Sequence, residues 1–234
     1  DIMKIGASTL AGIEYDLENA LDFIEGLGLE YAELVHQFPS EVIDAELLES
    51  YNLKYSIHAP FMDVNIASLQ DQSRLNSIKQ IKSSIDLANE IDAEAVVIHP
   101  GVTSYLPNKF FKKEVNEFAM KSMVELGRYG EDLGVLTTFE NMPAFESMLF
   151  NDMKKLNEFL TSHELYMTLD IGHANHAGYP AEAMYFDSIT VYFADGEVVT
   201  PHEHVFVEGK CECGAVDPNY VPHVHELCPE CGKC

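Results

Sequence analysis

Over the first 187 residues, short apolar β-branched runs alternate with stretches of helical periodicity. This is the pattern of a parallel sheet wrapped by helices. Lys4 to Ser8 reads as a first strand, and Leu17, Ala20, Leu21 and Ile24 after it share one helix face. Tyr31 to Val35 reads as a second strand, followed by a helix from about Glu41 to Tyr51. A third run, Tyr55-Ser56-Ile57, ends at His58, and the segment from about Ser73 to Ile91 carries Ile78, Ile81, Ile85 and Ala88 on one stripe. Val96-Val97-Ile98 ends at His99 and is closed by Pro100-Gly101, which cannot continue a regular element. The next helix carries Val115, Phe118, Ala119, Ser122 and Leu126. Leu136 to Phe139 then reads as a strand ending at Glu140, a helix is expected around Asn151 to Leu160, and Met167 to Leu169 ends at Asp170. A short helix is expected to begin near Pro180.

Four of these runs therefore end in a side chain able to hold a metal, with His173 three residues beyond Asp170. A parallel α/β barrel builds its active site at the C-terminal ends of its strands. His58 and His99 are 41 residues apart, His99 and Glu140 another 41, and Glu140 and Asp170 30. Each interval holds one βα unit. Six units fit before residue 187, where a closed (β/α)8 barrel needs eight. The expectation is an α/β fold of TIM-barrel type with six to seven units over residues 1–187, and a separate segment over 188–234.

Each histidine alone has a plain structural reading, a strand-end imidazole bonded to nearby backbone. Glu140 is harder to explain so, because a carboxylate ending an apolar strand is costly unless a cation or a hydrogen-bond network satisfies it. His58, His99, Glu140, Asp170 and His173 together mix imidazole and carboxylate, which suits Zn²⁺, Mn²⁺ or Fe²⁺ better than Mg²⁺. Glu33 within the second strand, His36 at its end, and His176 are further pocket candidates, each with a structural alternative: a buried pairing, a loop position, and solvent exposure.

Charge narrows the partners. With 39 acidic against 14 basic residues the formal net charge is -25, which repels a phosphate backbone, so nucleic acid is disfavoured and a small-molecule substrate preferred. The short basic groupings, such as Lys112-Lys113 and Lys154-Lys155, fall on the wet faces of helical patterns. No stretch approaches the roughly 18 to 20 apolar residues of a membrane span. The first residues lack the order of a signal peptide, so a cytoplasmic location is expected.

All five cysteines lie after residue 200. His202, His204, Cys211 and Cys213, then His223, His225, Cys228 and Cys231, form two imperfect copies of His-x-His followed by paired cysteines. Such turns present thiolates to one Zn²⁺, and so short a segment would draw folding energy from the metal. Disulfide bonding, which would leave one cysteine over, Cys234, and a disordered tail are the alternatives.

The motifs Ser56-Ile57-His58-Ala59-Pro60, Asn65-Ile66-Ala67-Ser68, Val97-Ile98-His99-Pro100-Gly101, Phe139-Glu140-Asn141-Met142 and Leu169-Asp170-Ile171-Gly172-His173-Ala174 resemble the xylose-isomerase-like barrels. That superfamily unites sugar and sugar-phosphate isomerases and epimerases with endonuclease IV-type apurinic-site nucleases. The resemblance covers residues 3 to about 187 and implies a (β/α)8 barrel with a divalent-metal site at those five positions. Its seventh strand typically ends in a His-x-His-type run and its eighth supplies a further glutamate. The corresponding Ile189 to Asp195 has no histidine. Epimerase-like members share proton transfer between two glutamates, of which Glu140 is the one evident here. Three functions are implied: a metal-dependent sugar or sugar-phosphate isomerase/epimerase, an abasic-site phosphodiesterase, or an incomplete barrel serving as a metal-binding or interaction module. Exposed strand edges of an incomplete barrel would favour a homo-oligomer.

Overall fold

A computed structural model describes residues 5–12, 16–37 and 42–179. The second segment, with its eight proposed tail ligands and the expected helix at Pro180, lies outside the described residues, as does the expected hairpin around Asp195.

Six strands, β1 (Gly6–Ser8), β2 (Tyr31–Val35), β3 (Lys54–His58), β4 (Val96–Ile98), β5 (Thr137–Glu140) and β6 (Tyr166–Thr168), form one sheet in sequence order. All five pairings are parallel. Between them run α1 (Leu17–Gly26), α2 (Ala45–Glu49), α3 (Asp71–Glu90), α4 (Tyr105–Phe110), α5 (Lys112–Leu133) and α6 (Met153–Ser162), and α7 (Ile171–His176) follows β6. Sequential parallel order with helical crossovers is the TIM-barrel-like α/β arrangement.

Side-chain alternation along each strand divides it chemically. Ile57, Val96, Ile98 and Phe139 enter one buried cluster with Ile78, Ile81 and Ile85 of α3, Met123 and Leu126 of α5, and Leu156 and Leu160 of α6. Ala32, Leu34 and Tyr55 join Leu21 and Ile24 of α1 and Leu48 of α2 in a second cluster. The intervening positions, among them Glu33, Ser56, His58, Thr138 and Glu140, therefore face away from the helices. Register aligns them: Ser8 pairs with Glu33, Glu33 with Ser56, and Glu140 with Thr168.

Several boundaries differ from the sequence expectation. The helix expected over 41–51 is confined to Ala45–Glu49, because Asp44 caps it by accepting from Glu46 N–H, and its last turn closes at Ser50. β5 runs to Glu140 itself, leaving Leu136 outside the strand and 42% exposed. The separate α4 was not anticipated; Ser104 precedes it and Phe111 breaks it from α5. A further short helix that the sequence pattern did not predict, α7, begins at Ile171, where Asp170 caps it.

The loops after β3 and β4 are clasped by one side chain. Asn65 Oδ1 accepts from Ala67 N–H at 3.0 Å and Val102 N–H at 3.1 Å, and its Nδ2 donates to the Val102 carbonyl at 2.9 Å. Beside this clasp Gly101 has φ 115°, and a Cβ there would stand 2.7 Å from that of Ala67. Gly101→Ala should therefore cost about 1–3 kcal/mol through backbone strain and overlap, read as a lower urea midpoint. An unchanged midpoint would mean that the clasp yields freely.

Candidate metal centre

The end of β5 delivers Glu140 to the middle of the site. Because Ile98 pairs with Phe139, the next residues, His99 and Glu140, fall side by side. His99 Nε2 lies 3.0 Å and His58 Nε2 3.5 Å from Glu140 Oε2, while His173 Nδ1 lies 3.2 Å from Oε1. Asp170 Oδ2 is 3.8 Å from the same His173 nitrogen. These residues form two groups with metal-competent geometry, His58 with His99 and Glu140, and Glu140 with Asp170 and His173. Glu140 belongs to both.

Hydrogen bonds set the orientation of these donors. His58 Nδ1 is 2.8 Å from the Ala59 carbonyl, to which it can only donate, so Nε2 carries the lone pair toward Glu140. His173 Nδ1 similarly donates to the Asn141 carbonyl at 3.0 Å. Asp170 divides its carboxylate: Oδ1 caps α7 by accepting from His173 N–H at 2.6 Å, and Oδ2 faces the imidazole. Asn141, 1% exposed, pairs reciprocally with the Asp170 backbone, donating from Nδ2 to its carbonyl at 2.9 Å and accepting its N–H at 2.8 Å. In the sequence Asn141 stands in the Phe139-Glu140-Asn141-Met142 motif beside a candidate ligand. A carboxamide that can match both ends of a peptide beside a candidate ligand was the available signal.

Electrostatics follow the same geometry. Burial opposes ionisation of Glu140, but the imidazoles of His173, His58 and His99 outweigh it and hold the carboxyl far below the usual range. Burial pulls His58 down, yet the nearby Glu140 carboxylate and the Glu33 charge leave it raised. His173 is raised mainly by Glu140. Glu33 is buried at 8% exposure, and that burial raises its carboxyl against the opposing pull of His58 and a hydrogen bond from Ser8.

Glu140 Oε2 also supplies the test of fit for a cation. It is fully buried and has no hydrogen-bond partner despite two imidazole nitrogens within 3.5 Å. A buried carboxylate oxygen with two imidazole nitrogens nearby and no aligned N–H is left with a need that a divalent cation satisfies. The residues present fit such an ion.

The remaining candidates sit elsewhere. His36 N–H continues the β2–β3 ladder to the His58 carbonyl at 3.0 Å, but its ring meets Ser84 Oγ of α3 at 2.8 Å. His176 is exposed; its Nδ1 accepts from Ala144 N–H at 3.1 Å and its ring lies 4.7 Å from that of Phe145. Among the described residues no helix is long and apolar enough to cross a membrane.

A sequential parallel sheet with imidazole and carboxylate gathered at its C-terminal edge defines a TIM-barrel-like α/β protein whose strand ends could hold a metal ion. The chain belongs to the xylose isomerase-like TIM barrel family, whose model matches residues 21–225. It is 35% identical over 179 residues to the uncharacterized protein MJ1614 of Methanocaldococcus jannaschii, covering 74% of this chain and 68% of that one. A solved D-tagatose 3-epimerase-like protein superposes with a TM-score of 0.69 at 32% identity, covering 77% of this chain and 69% of its own. A probable endonuclease 4 of Mycobacterium leprae is 38% identical over 58 residues, 25% of this chain and 23% of that one.

Proposed function

We propose that this chain is a divalent-metal-dependent isomerase or epimerase acting on a sugar or sugar phosphate. The observation that carries the reading is the buried, unsatisfied Glu140 Oε2 flanked by His58 and His99 at the strand ends, with His173 on Oε1 of the same carboxylate. His58, His99, Glu140, Asp170 and His173 would hold Zn²⁺, Mn²⁺ or Fe²⁺, which when bound polarises a carbonyl and orients neighbouring oxygens. Glu140, ionised at neutral pH, would take the proton from the carbon beside that carbonyl, and a second acid on the opposite face would return one to complete an epimerisation. The Ala59 and Asn141 carbonyls keep His58 and His173 in one tautomer, so the donors do not reorganise as charge develops. The likeness to a D-tagatose 3-epimerase-like protein and the net charge of -25 both support a small polyol substrate.

Incubating the metal-loaded chain with ketohexoses and ketose phosphates in D₂O tests this. Solvent deuterium should appear at the carbon next to the carbonyl, read by NMR. No incorporation across the panel with any of the three metals would end the reading.

The sharing of Glu140 between two donor groups, with the local likeness to a probable endonuclease 4, favours one alternative. The two donor groups that share Glu140 would hold paired cations, which would supply an activated water for hydrolysis of a phosphodiester at an abasic site. Incision of an abasic duplex, in the absence of deuterium exchange, selects it.

A further inference from the structure

We propose that Gln37 is a positioning residue for the His58–His99 half of the centre, acting through Phe61. The inference rests on the metal-site reading above and adds to it a residue three strands away from Glu140 in the sheet.

Among the described residues two buried side-chain atoms lack a hydrogen-bond partner, Glu140 Oε2 and Gln37 Nε2. Gln37 stands just past β2 and is 5% exposed. Its Oε1 accepts from Phe61 N–H at 3.0 Å and Met62 N–H at 3.1 Å. Two donors on one oxygen fix the amide orientation, since the flipped group would set its NH₂ against both. Nε2 is thereby left without a partner, at a cost of about 1–3 kcal/mol. A methionine would fill the same space without that cost, so the gain lies at the oxygen end.

What that oxygen holds is a ring packed on both histidines. The Phe61 ring lies 5.1 Å from that of His58 at 72° and 5.2 Å from that of His99 at 33°, and the two imidazoles lie 4.9 Å apart at 81°. His58 has a second hold, through Nδ1 on the Ala59 carbonyl. Among the described residues the His99 ring has its approach to Glu140 and these two ring contacts. Phe61 therefore fixes the plane of His99, and Gln37 fixes the backbone of Phe61. A ligand ring free to rotate presents its lone pair to the cation for only part of the time, and loss of such outer support typically weakens metal binding about 10–100-fold.

Co²⁺ titration of the full chain, followed by d–d absorption, reads both affinity and coordination geometry. Gln37→Met should weaken Co²⁺ binding at least about tenfold and change the d–d bands, with the thermal midpoint of the metal-free protein nearly unchanged. Gln37→Glu, which keeps the accepting oxygen, should retain tighter Co²⁺ binding than Gln37→Met while lowering the thermal midpoint, because its second oxygen is buried without a partner. Phe61→Leu should weaken binding comparably, and the double variant Gln37→Met with Phe61→Leu should lose no more than either alone, because one acts through the other. Wild-type Co²⁺ affinity and bands in Gln37→Met, or losses that add in the double variant, would overturn the proposal while leaving the metal site standing. Failure of the wild-type chain to bind Co²⁺ would overturn the metal reading and this inference with it.

Discussion

Glu140→Gln is expected to remove tight divalent-metal binding and to lower any turnover by at least about 10²–10⁴-fold, the range for a lost proton-transfer group. The substitution keeps the volume of a side chain that is 6% exposed, so packing against its neighbours survives. It removes the charge on which His58, His99 and His173 converge, and it sets an NH₂ where one oxygen must meet imidazole nitrogens. Both donor groups lose their shared member at once. Calorimetric titration with Zn²⁺ and a thermal melt of the same sample separate loss of the site from loss of the fold. Wild-type Zn²⁺ affinity in a well-folded Glu140→Gln variant would remove Glu140 from the centre, and the proposed function with it.

The second large effect is on pH. His58 and His173 are both raised above the ordinary value of 6.5 in the folded protein, and a cation binds only their neutral rings. Metal affinity should therefore rise with pH through these raised values, by up to about 100-fold per unit while both protons are displaced together, and then level off. Metal-free stability runs the other way. Raised histidines contribute fully below about pH 6.5 and lose that contribution as pH climbs through their folded values; the depressed Glu140 contributes above about pH 4.5 and loses it as pH falls through its folded value. The metal-free protein thus draws most from this cluster between about pH 4.5 and 6.5, and the added stability on Zn²⁺ loading should grow from there toward pH 8. Melts with and without Zn²⁺ across that range check it. A Zn²⁺-induced gain that shrinks as pH rises would contradict the assignment of His58 and His173 as ligands.

Much of the strand layout was legible because the helix-facing positions are uniformly apolar. Ile57, Ile98 and Phe139 could hardly face water, so the runs that contain them mark strands, and the polar residue ending each run stands out. What eluded that reading depends on distant partners. Gln37 meets Phe61 and Met62, 24 and 25 residues away, and His36 turns to Ser84, 48 residues away; no local pattern encodes either. Asn141 was missed for the same reason, since its partners Asp170 and His173 belong to the next βα unit. Helix starts set by one carboxylate, Asp44 for α2 and Asp170 for α7, were likewise not encoded by periodicity.

Sequence alone determined the α/β class, the order of the strands, and which side chains end them, because alternation and helical periodicity are local consequences of burying one face of each element. Only the tertiary structure decided that those strand ends meet. Parallel register sets His99 beside Glu140 and brings His58 and His173 within 3.5 Å of the same carboxylate. That convergence depends on how six strands align side by side, and register is a property of the pairing between segments that no single segment contains.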